Sequence, residues 1–318
     1  MQKITVDLRN LPEDRWHLTY EQQQQARELL ALYKADLGIP PDVGELLAAS
    51  ARELVRADHW AEIESIALML GLPVSDAVLC NFYYDALKVV LGCTAFAVDT
   101  ADRVLHARNL DWWTTSAILS RYTTMCNFVG GMAGEFTTIG WPGFTGAFSG
   151  IAPGRFAITL NAVLSLEPAV PATPVVLVLR SVFEEARSFD EALSLLSAAS
   201  LPSDSLLLLT GTHAGEHVVI ERTPSRSAVR RSQHGFICVT NDYQQIQVSA
   251  DQPRTEILTT SCNRFKRIEH LLSHKIPHTP EACFEYLSDP AVRMQITVQQ
   301  MVFDPATGQC WVRLPTVK

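Results

Sequence analysis

The sequence has no Asn-x-Ser/Thr sequon, no Cys-x-x-Cys pair and no uninterrupted apolar run approaching the roughly 18–20 residues that cross a bilayer. Nothing in it marks N-glycosylation, a redox dithiol or a membrane span. Positive charge is also short: 26 Lys and Arg stand against 34 Asp and Glu, for a net charge of −8, and they are scattered rather than gathered into a stripe. A nucleic-acid partner is not expected. The start, Met1-Gln2-Lys3-Ile4-Thr5-Val6-Asp7, lacks the apolar centre of a signal peptide. The seven cysteines (80, 93, 126, 238, 262, 283 and 310) are an odd number with no pairing visible in their spacing. These absences favour buried thiols in a reducing, bacterial cytoplasmic setting, or secretion if a signal peptide has been removed. No internal repeat occurs, and the one biased run, Gln22–Gln25, lies inside a helical pattern.

What is present is globular: 318 residues, 47% hydrophobic and 19% charged, enough to bury a sizeable core in one domain. Residues 1–92 read as a short extended start at Ile4–Leu8 and then helices. Thr19 caps a run to about Lys34, and Pro40-Pro41-Asp42 opens a second helix with Leu46, Leu47 and Leu54-Val55 on one face. A third runs from about His59 to Leu70 with Gly71 as its stop, and Ser75-Asp76 caps a fourth that delivers the chain to Gly92.

At Cys93 the period changes from helical to alternating, with a hairpin of Cys93–Val98 and Val104–Asp111. Strands are expected near 122–129, 135–140, 144–149 and 155–161, then helices from Thr173-Pro174 and from a Ser188/Glu191 capping box. Strands return at 205–212, 217–222, 227–231 and 235–240, followed by helices over 255–273 and from Thr279-Pro280 and a last hairpin at 296–303 and 309–313. This order predicts an α+β fold, antiparallel sheets covered by helices, best arranged as a helix–sheet–sheet–helix sandwich.

The chemistry is placed at Gly92-Cys93-Thr94 and the returning Arg108-Asn109-Leu110-Asp111. A free thiol near pKa 8.5 is mostly protonated at neutral pH, so a nucleophilic cysteine needs a base. Cutting the Gly92–Cys93 bond would give Cys93 an α-amine of its own, one residue supplying both nucleophile and base. Arg108 would favour a thiolate and Asp111 would hold the amine, the hairpin bringing all three side chains together at one sheet end. From spacing alone the same residues also describe an exposed hairpin with a buried thiol. His213 and His217 flank Gly215 in a strand-connecting turn, and His270, His274 and His278 share no common face; neither set predicts a metal site, and no cofactor is required.

The segment Gly92-Cys93-Thr94…His106-Ala107-Arg108-Asn109-Leu110-Asp111 resembles the nucleophile segment of the acid ceramidase and N-acylethanolamine acid amidase family, N-terminal-nucleophile cysteine hydrolases of the choloylglycine hydrolase superfamily. Further similar stretches follow in chain order: Ile4–Leu8 with Arg15-Trp16, Asn81-Phe82-Tyr83-Tyr84, Gly143-Phe144-Thr145-Gly146, Pro153-Gly154-Arg155-Phe156, Val239-Thr240-Asn241-Asp242-Tyr243 and Pro253-Arg254-Thr255. The resemblance implies an αββα sandwich of two antiparallel sheets and two pieces, a helical segment 1–92 and a catalytic portion 93–318, cut apart at Gly92–Cys93 but still associated. It makes Cys93 the nucleophile, Arg108 its neighbour, Asp111 the amine's partner, Asn241 an oxyanion-hole donor and Arg254 a supporting cation.

The implied substrate is a fatty-acid amide of ceramide or N-acylethanolamine type, with peripheral membrane contact compatible with such a lipid. Its acyl chain is expected in a groove carrying Phe82, Tyr83, Trp112, Trp113, Trp141, Phe144 and Phe148. The alternatives are a bile-salt or penicillin-type acylase and a non-catalytic lipid binder. The departure is Asn161-Ala162-Val163, where relatives carry a glutamate in place of Ala162, which puts an acidic pH optimum in doubt.

Overall fold

In the computed structural model the described residues are 1–38, 40–87, 91–112, 118–232, 234–249 and 256–315. Thr19 starts the first long helix, α1 (Tyr20–Leu37), through a reciprocal capping box: its hydroxyl accepts the Gln22 N–H, and the Gln22 side chain accepts the Thr19 N–H. Helices α2 (Pro41–Leu54), α3 (Ala57–Leu70) and α4 (Val74–Leu87) follow. Gly38 and Gly71 end α1 and α3 in the left-handed conformation that a residue without Cβ adopts at no steric cost. The expected face of α2 is only partly inward, because Leu46 is exposed while Ala51 and Val55 are buried.

Two sheets make the centre. The larger has eight strands in the order β1-β4-β5-β6-β7-β8-β9-β10: β1 (Gln2–Asp7), β4 (Thr124–Val129), β5 (Phe136–Gly140), β6 (Ser149–Ala152), β7 (Phe156–Asn161), β8 (Ser205–Thr210), β9 (His217–Arg222) and β10 (Ser227–Arg231). The smaller has five strands, β11-β2-β3-β12-β13: β11 (Phe236–Val239), β2 (Leu91–Asp99), β3 (Val104–Trp112), β12 (Thr297–Asp304) and β13 (Gln309–Arg313). Helices α6 (Val175–Glu185) and α7 (Phe189–Ala198) join α1, α3 and α4 against the larger sheet, while α8 (Glu256–His274) and α9 (Pro280–Leu287) cover the smaller one. The sandwich expected from the element order is present.

Two features of the sheets differ from the sequence reading. Strand β1 pairs in parallel with β4, Gln2 opposite Thr124, so the first segment gives the larger sheet a strand as well as packing helices on it. The strand expected at 144–149 lies instead at 149–152, because Trp141–Gly143 turns the chain and Gly143 has φ +83°. A short helix, α5 (Ile118–Arg121), has no capping signal that the sequence reading used.

Alternation along β2 and β3 assigns their side chains to faces. Phe96, Val98, Leu105 and Ala107 pack with Ile268, Leu272 and Phe284 of α8 and α9. Ala95, Ala97 and Val104 pack with Leu206, Leu208 and Val219 of the larger sheet. No helix among the described residues is long and apolar enough to cross a membrane.

Candidate active site

Cys93 lies in β2, facing between the sheets and 1% exposed, opposite Leu110 of β3. Its Sγ receives a hydrogen bond from Arg108 Nη2 at 3.2 Å and stands 3.7 Å from the Leu160 carbonyl oxygen. Arg108 is fully buried and sits opposite Ala95. It donates also to the carbonyls of Leu160 (2.6 Å) and Phe148 (2.8 Å) and to Ser149 Oγ, but meets no carboxylate among the described residues. All of these acceptors are neutral, and the Cys93 sulfur lies within reach of the same guanidinium.

Asp111 is placed differently from the convergence read in the sequence. It lies opposite Gly92, and the two-residue period turns it to the face that α8 and α9 cover, away from Cys93 and Arg108. Its Oδ1 accepts the Thr297 hydroxyl at 2.6 Å; its Oδ2 is buried with no hydrogen-bond partner among the described residues. Burial pushes the Asp111 carboxyl up from the ordinary aspartate range, against the opposing pull of Arg264, Thr297, Arg108 and Arg293. The strand backbone, not a shared face, is what the thiol and this carboxylate have in common.

Asn241, just after β11, meets that backbone. Its Oδ1 accepts the Cys93 N–H at 3.1 Å, and its Nδ2 donates to Ala162 O at 2.7 Å. The atom that Asn241 turns to the Cys93 N–H is the acceptor Oδ1, and one of its two Nδ2 hydrogens goes to Ala162 O. Asn161, the other amide nearby, likewise spends its Nδ2 on the carbonyls of Val239 and Thr240.

Arg254 lies outside the described residues. Arg264, which the sequence reading missed, is in contact with Cys93: Nη1 donates to Cys93 O (2.6 Å) and Thr94 Oγ1 (2.8 Å), and Nη2 to Asn241 Oδ1 (2.8 Å). Burial lowers its pKa, opposed by Asp111, Cys93 and Asp242. A signal for it exists in the sequence, since Arg264 shares the buried stripe of α8 with Ser261, Ile268 and Leu272, a cation at a core position of an amphipathic helix.

The residues expected to hold an acyl chain form a packed aromatic cluster. Trp112 contacts Tyr83, Trp141 and Phe148 at ring separations of 5.2, 5.2 and 5.5 Å, and Phe144 stacks on Phe148 at 5.3 Å. Phe82 is half-buried against the same core, and Trp113 lies outside the described residues. Asp58, His59 and Glu184 gather their ligand-type atoms within 4.8 Å, but Arg56 and Arg180 pair with this group. Cations already fill the place a metal would take.

Comparison with known proteins agrees with this architecture. Residues 98–311 match the model of the acyl-coenzyme A:6-aminopenicillanic acid acyl-transferase family, a match that begins downstream of Cys93. The chain is 26% identical over 185 residues to an acid ceramidase of Balaenoptera acutorostrata scammoni, covering 51% of this chain and 46% of that protein. It is 29% identical over 177 residues to an N-acylethanolamine-hydrolyzing acid amidase of Caenorhabditis elegans, covering 51% and 50%. The matched regions thus span about half the length of these relatives. Among solved structures, a Caenorhabditis elegans N-acylethanolamine-hydrolyzing acid amidase ortholog superposes with a TM-score of 0.58 at 23% identity, over 70% of this chain and all of that one. That likeness shows a fold shared with that amidase. With two thirds of its length matched, this chain belongs to the acyl-coenzyme A:6-aminopenicillanic acid acyl-transferase family and is a relative of the acid ceramidases and N-acylethanolamine-hydrolyzing acid amidases.

Proposed function

We propose that this protein cuts itself between Gly92 and Cys93 and then hydrolyses fatty-acyl amides with Cys93 as nucleophile. The observation that carries this reading is the Arg108 donor 3.2 Å from the Cys93 sulfur, fixed by neutral acceptors in a buried site.

In self-cleavage the sulfur attacks the Gly92 carbonyl carbon, the peptide nitrogen takes a proton and leaves, and the Gly92 acyl group rests on sulfur as a thioester. Water then releases the Gly92 carboxylate and leaves Cys93 with a free α-amine. Asn241 Oδ1 already accepts the N–H at this nitrogen, and Asp111 Oδ2 is a buried acceptor in need of a donor on the residue opposite Gly92. Both suit an ammonium formed there.

In turnover the α-amine takes the thiol proton as sulfur attacks the amide carbonyl, and passes it to the departing amine. Water hydrolyses the acyl-thioester to the free acid and restores the thiol. Arg264 acts on the backbone, holding the Cys93 carbonyl and Asn241 in place. The substrate class, amides of long-chain acids, is supported by what the relatives are named for, and the helical segment 1–92 is read as staying bound after the cut.

The test follows hydrolysis of N-acylethanolamines of four to eighteen carbons by the processed protein, below their critical micelle concentrations. Each buried CH₂ contributes roughly 0.8 kcal/mol, so shortening a sixteen-carbon chain by four carbons is expected to lower kcat/KM by on the order of a hundredfold. A flat profile, or a maximum at four carbons, removes the lipid substrate and leaves the cysteine mechanism intact.

A further inference from the structure

Residues of β10, the last strand of the larger sheet, of β11, the first of the smaller, and of helix α8 come together around one opening. This leaves a cleft of about 720 Å³, within the range of small-ligand sites, lined by Arg230, Arg231, Phe236, Phe265, Lys266 and Glu269 among others. The α8 residues come from one face, since positions 265, 266, 269, 270 and 273 follow the helical repeat. Arg230, Arg231 and Lys266 stand against Glu269 in the lining and Glu221 beside Arg230, which leaves an excess of positive charge in a chain whose net charge is −8.

Arg230 shows that the charge is held in place rather than free to sweep solvent. Its Nη2 donates to the Cys238 carbonyl at 2.7 Å, and its buried Nε has no hydrogen-bond partner among the described residues. Glu221 forms an ion pair with that Nε at 3.7 Å while also accepting the backbone N–H groups of Gln244, Gln245 and Ile246 at 2.9–3.0 Å. A guanidinium anchored on the Cys238 carbonyl, beside two exposed cations and two aromatic rings, suits a ligand with an anionic head and an apolar body.

We propose that this cleft binds a small amphiphilic anion, a phosphate-type head carried on a short aliphatic chain. It is separate from the nucleophile: α8 turns Arg264 to Cys93 and Phe265 and Lys266 to the cleft, so the two sites share a helix but not side chains. The head can come from a free phosphate ester or from a lipid headgroup at a membrane surface.

Calorimetric titration of the purified protein with hexyl phosphate and with inorganic phosphate, and co-sedimentation with phosphatidylcholine vesicles containing or lacking phosphatidic acid, separate these sources. The variants are Lys266→Glu alone and Lys266→Glu with Arg231→Glu, both exposed positions, with thermal melts to verify folding. Hexyl phosphate is expected to bind more tightly than inorganic phosphate and to lose at least about tenfold in affinity on charge reversal. Binding confined to phosphatidic acid vesicles, with the same loss, assigns the head to lipid. Binding of neither, binding untouched by charge reversal, or equal affinity for phosphate with and without its chain overturns the proposal.

Discussion

His106 bridges the two sheets, its ring nitrogens 3.0 Å from Thr210 Oγ1 and 2.8 Å from Thr159 Oγ1. Burial first, and the Arg108 charge second, push its pKa down to about 3, so the fold holds it neutral. In the unfolded chain it takes up a proton near pH 6.5. The native state therefore loses stability as pH falls below about 6.5, by about 1.4 kcal/mol per unit for this one group, until the folded pKa is reached. Urea midpoints measured from pH 7 to 4 are expected to fall less steeply in His106→Gln than in the unchanged protein, and equal slopes would remove His106 from the acid response. Asp111 has the opposite sign. Burial raises its folded pKa, so charging it costs stability once pH passes the ordinary aspartate value, and that cost persists at neutral pH. Asp111→Asn is expected to melt a few degrees above the unchanged protein at pH 7, with the gap closing towards pH 4, while self-cleavage is lost. A variant that melts lower throughout, or that cuts itself normally, contradicts the role given to this carboxylate. At this scale the resemblance to a known segment singled out Cys93, Arg108, Asp111 and Asn241 in the sequence, and the fold gathers them around the start of β2. The sequence did not reveal which strand face Asp111 takes, or that Asn241 presents its oxygen, because both depend on hydrogen-bond partners far along the chain.

Local chemistry made most elements legible. The Thr19 cap, the Gly71 stop and the Thr279 start are where the sequence puts them, since each acts within four residues. The Ser188 cap differs in part: Ser188 accepts the Glu191 N–H, while the Glu191 carboxylate reaches Arg187 N–H instead of closing the box. Strand β1 was legible as extended chain, but its parallel pairing with β4, more than a hundred residues away, leaves no local trace. The grip of α3 on α6 was hidden for the same reason. Glu62, fully buried, accepts from Trp16 Nε1 (2.7 Å), Arg15 Nη1 (2.8 Å) and Arg180 Nη2 (3.0 Å), joining the first segment to the body of the molecule. Without the Glu62 charge the buried Arg180 keeps Glu184 as its remaining carboxylate, so Glu62→Gln is expected to lower unfolding stability by about 2 kcal/mol in urea denaturation. A loss under about 1 kcal/mol would show that packing alone holds the segment.

The whole molecule explains why residues 1–92 are expected to stay after a cut. They supply an edge strand to the larger sheet and helices to its main core, where Leu29, Tyr33, Ile63, Ile66 and Tyr83 pack with Trp112, Trp141 and Phe148. The layered order was readable because helices and strands come in blocks rather than in βα alternation. The site was readable only in outline, because its pieces converge from β2, β3, the end of β11 and α8, four places that only the folded sandwich brings together. The central claim is that the Gly92–Cys93 cut makes Cys93 both nucleophile and base. Intact-mass measurement after rapid quench of the protein with a long-chain N-acylethanolamine tests it in one step. The account predicts fragments of about 10 and 25 kDa, the shares set by 92 of 318 residues in a 35.2 kDa chain, with the acyl increment on the larger fragment at its N-terminal Cys93. An uncut chain that nevertheless turns over the amide, or an acyl increment on a peptide lacking Cys93, would contradict it.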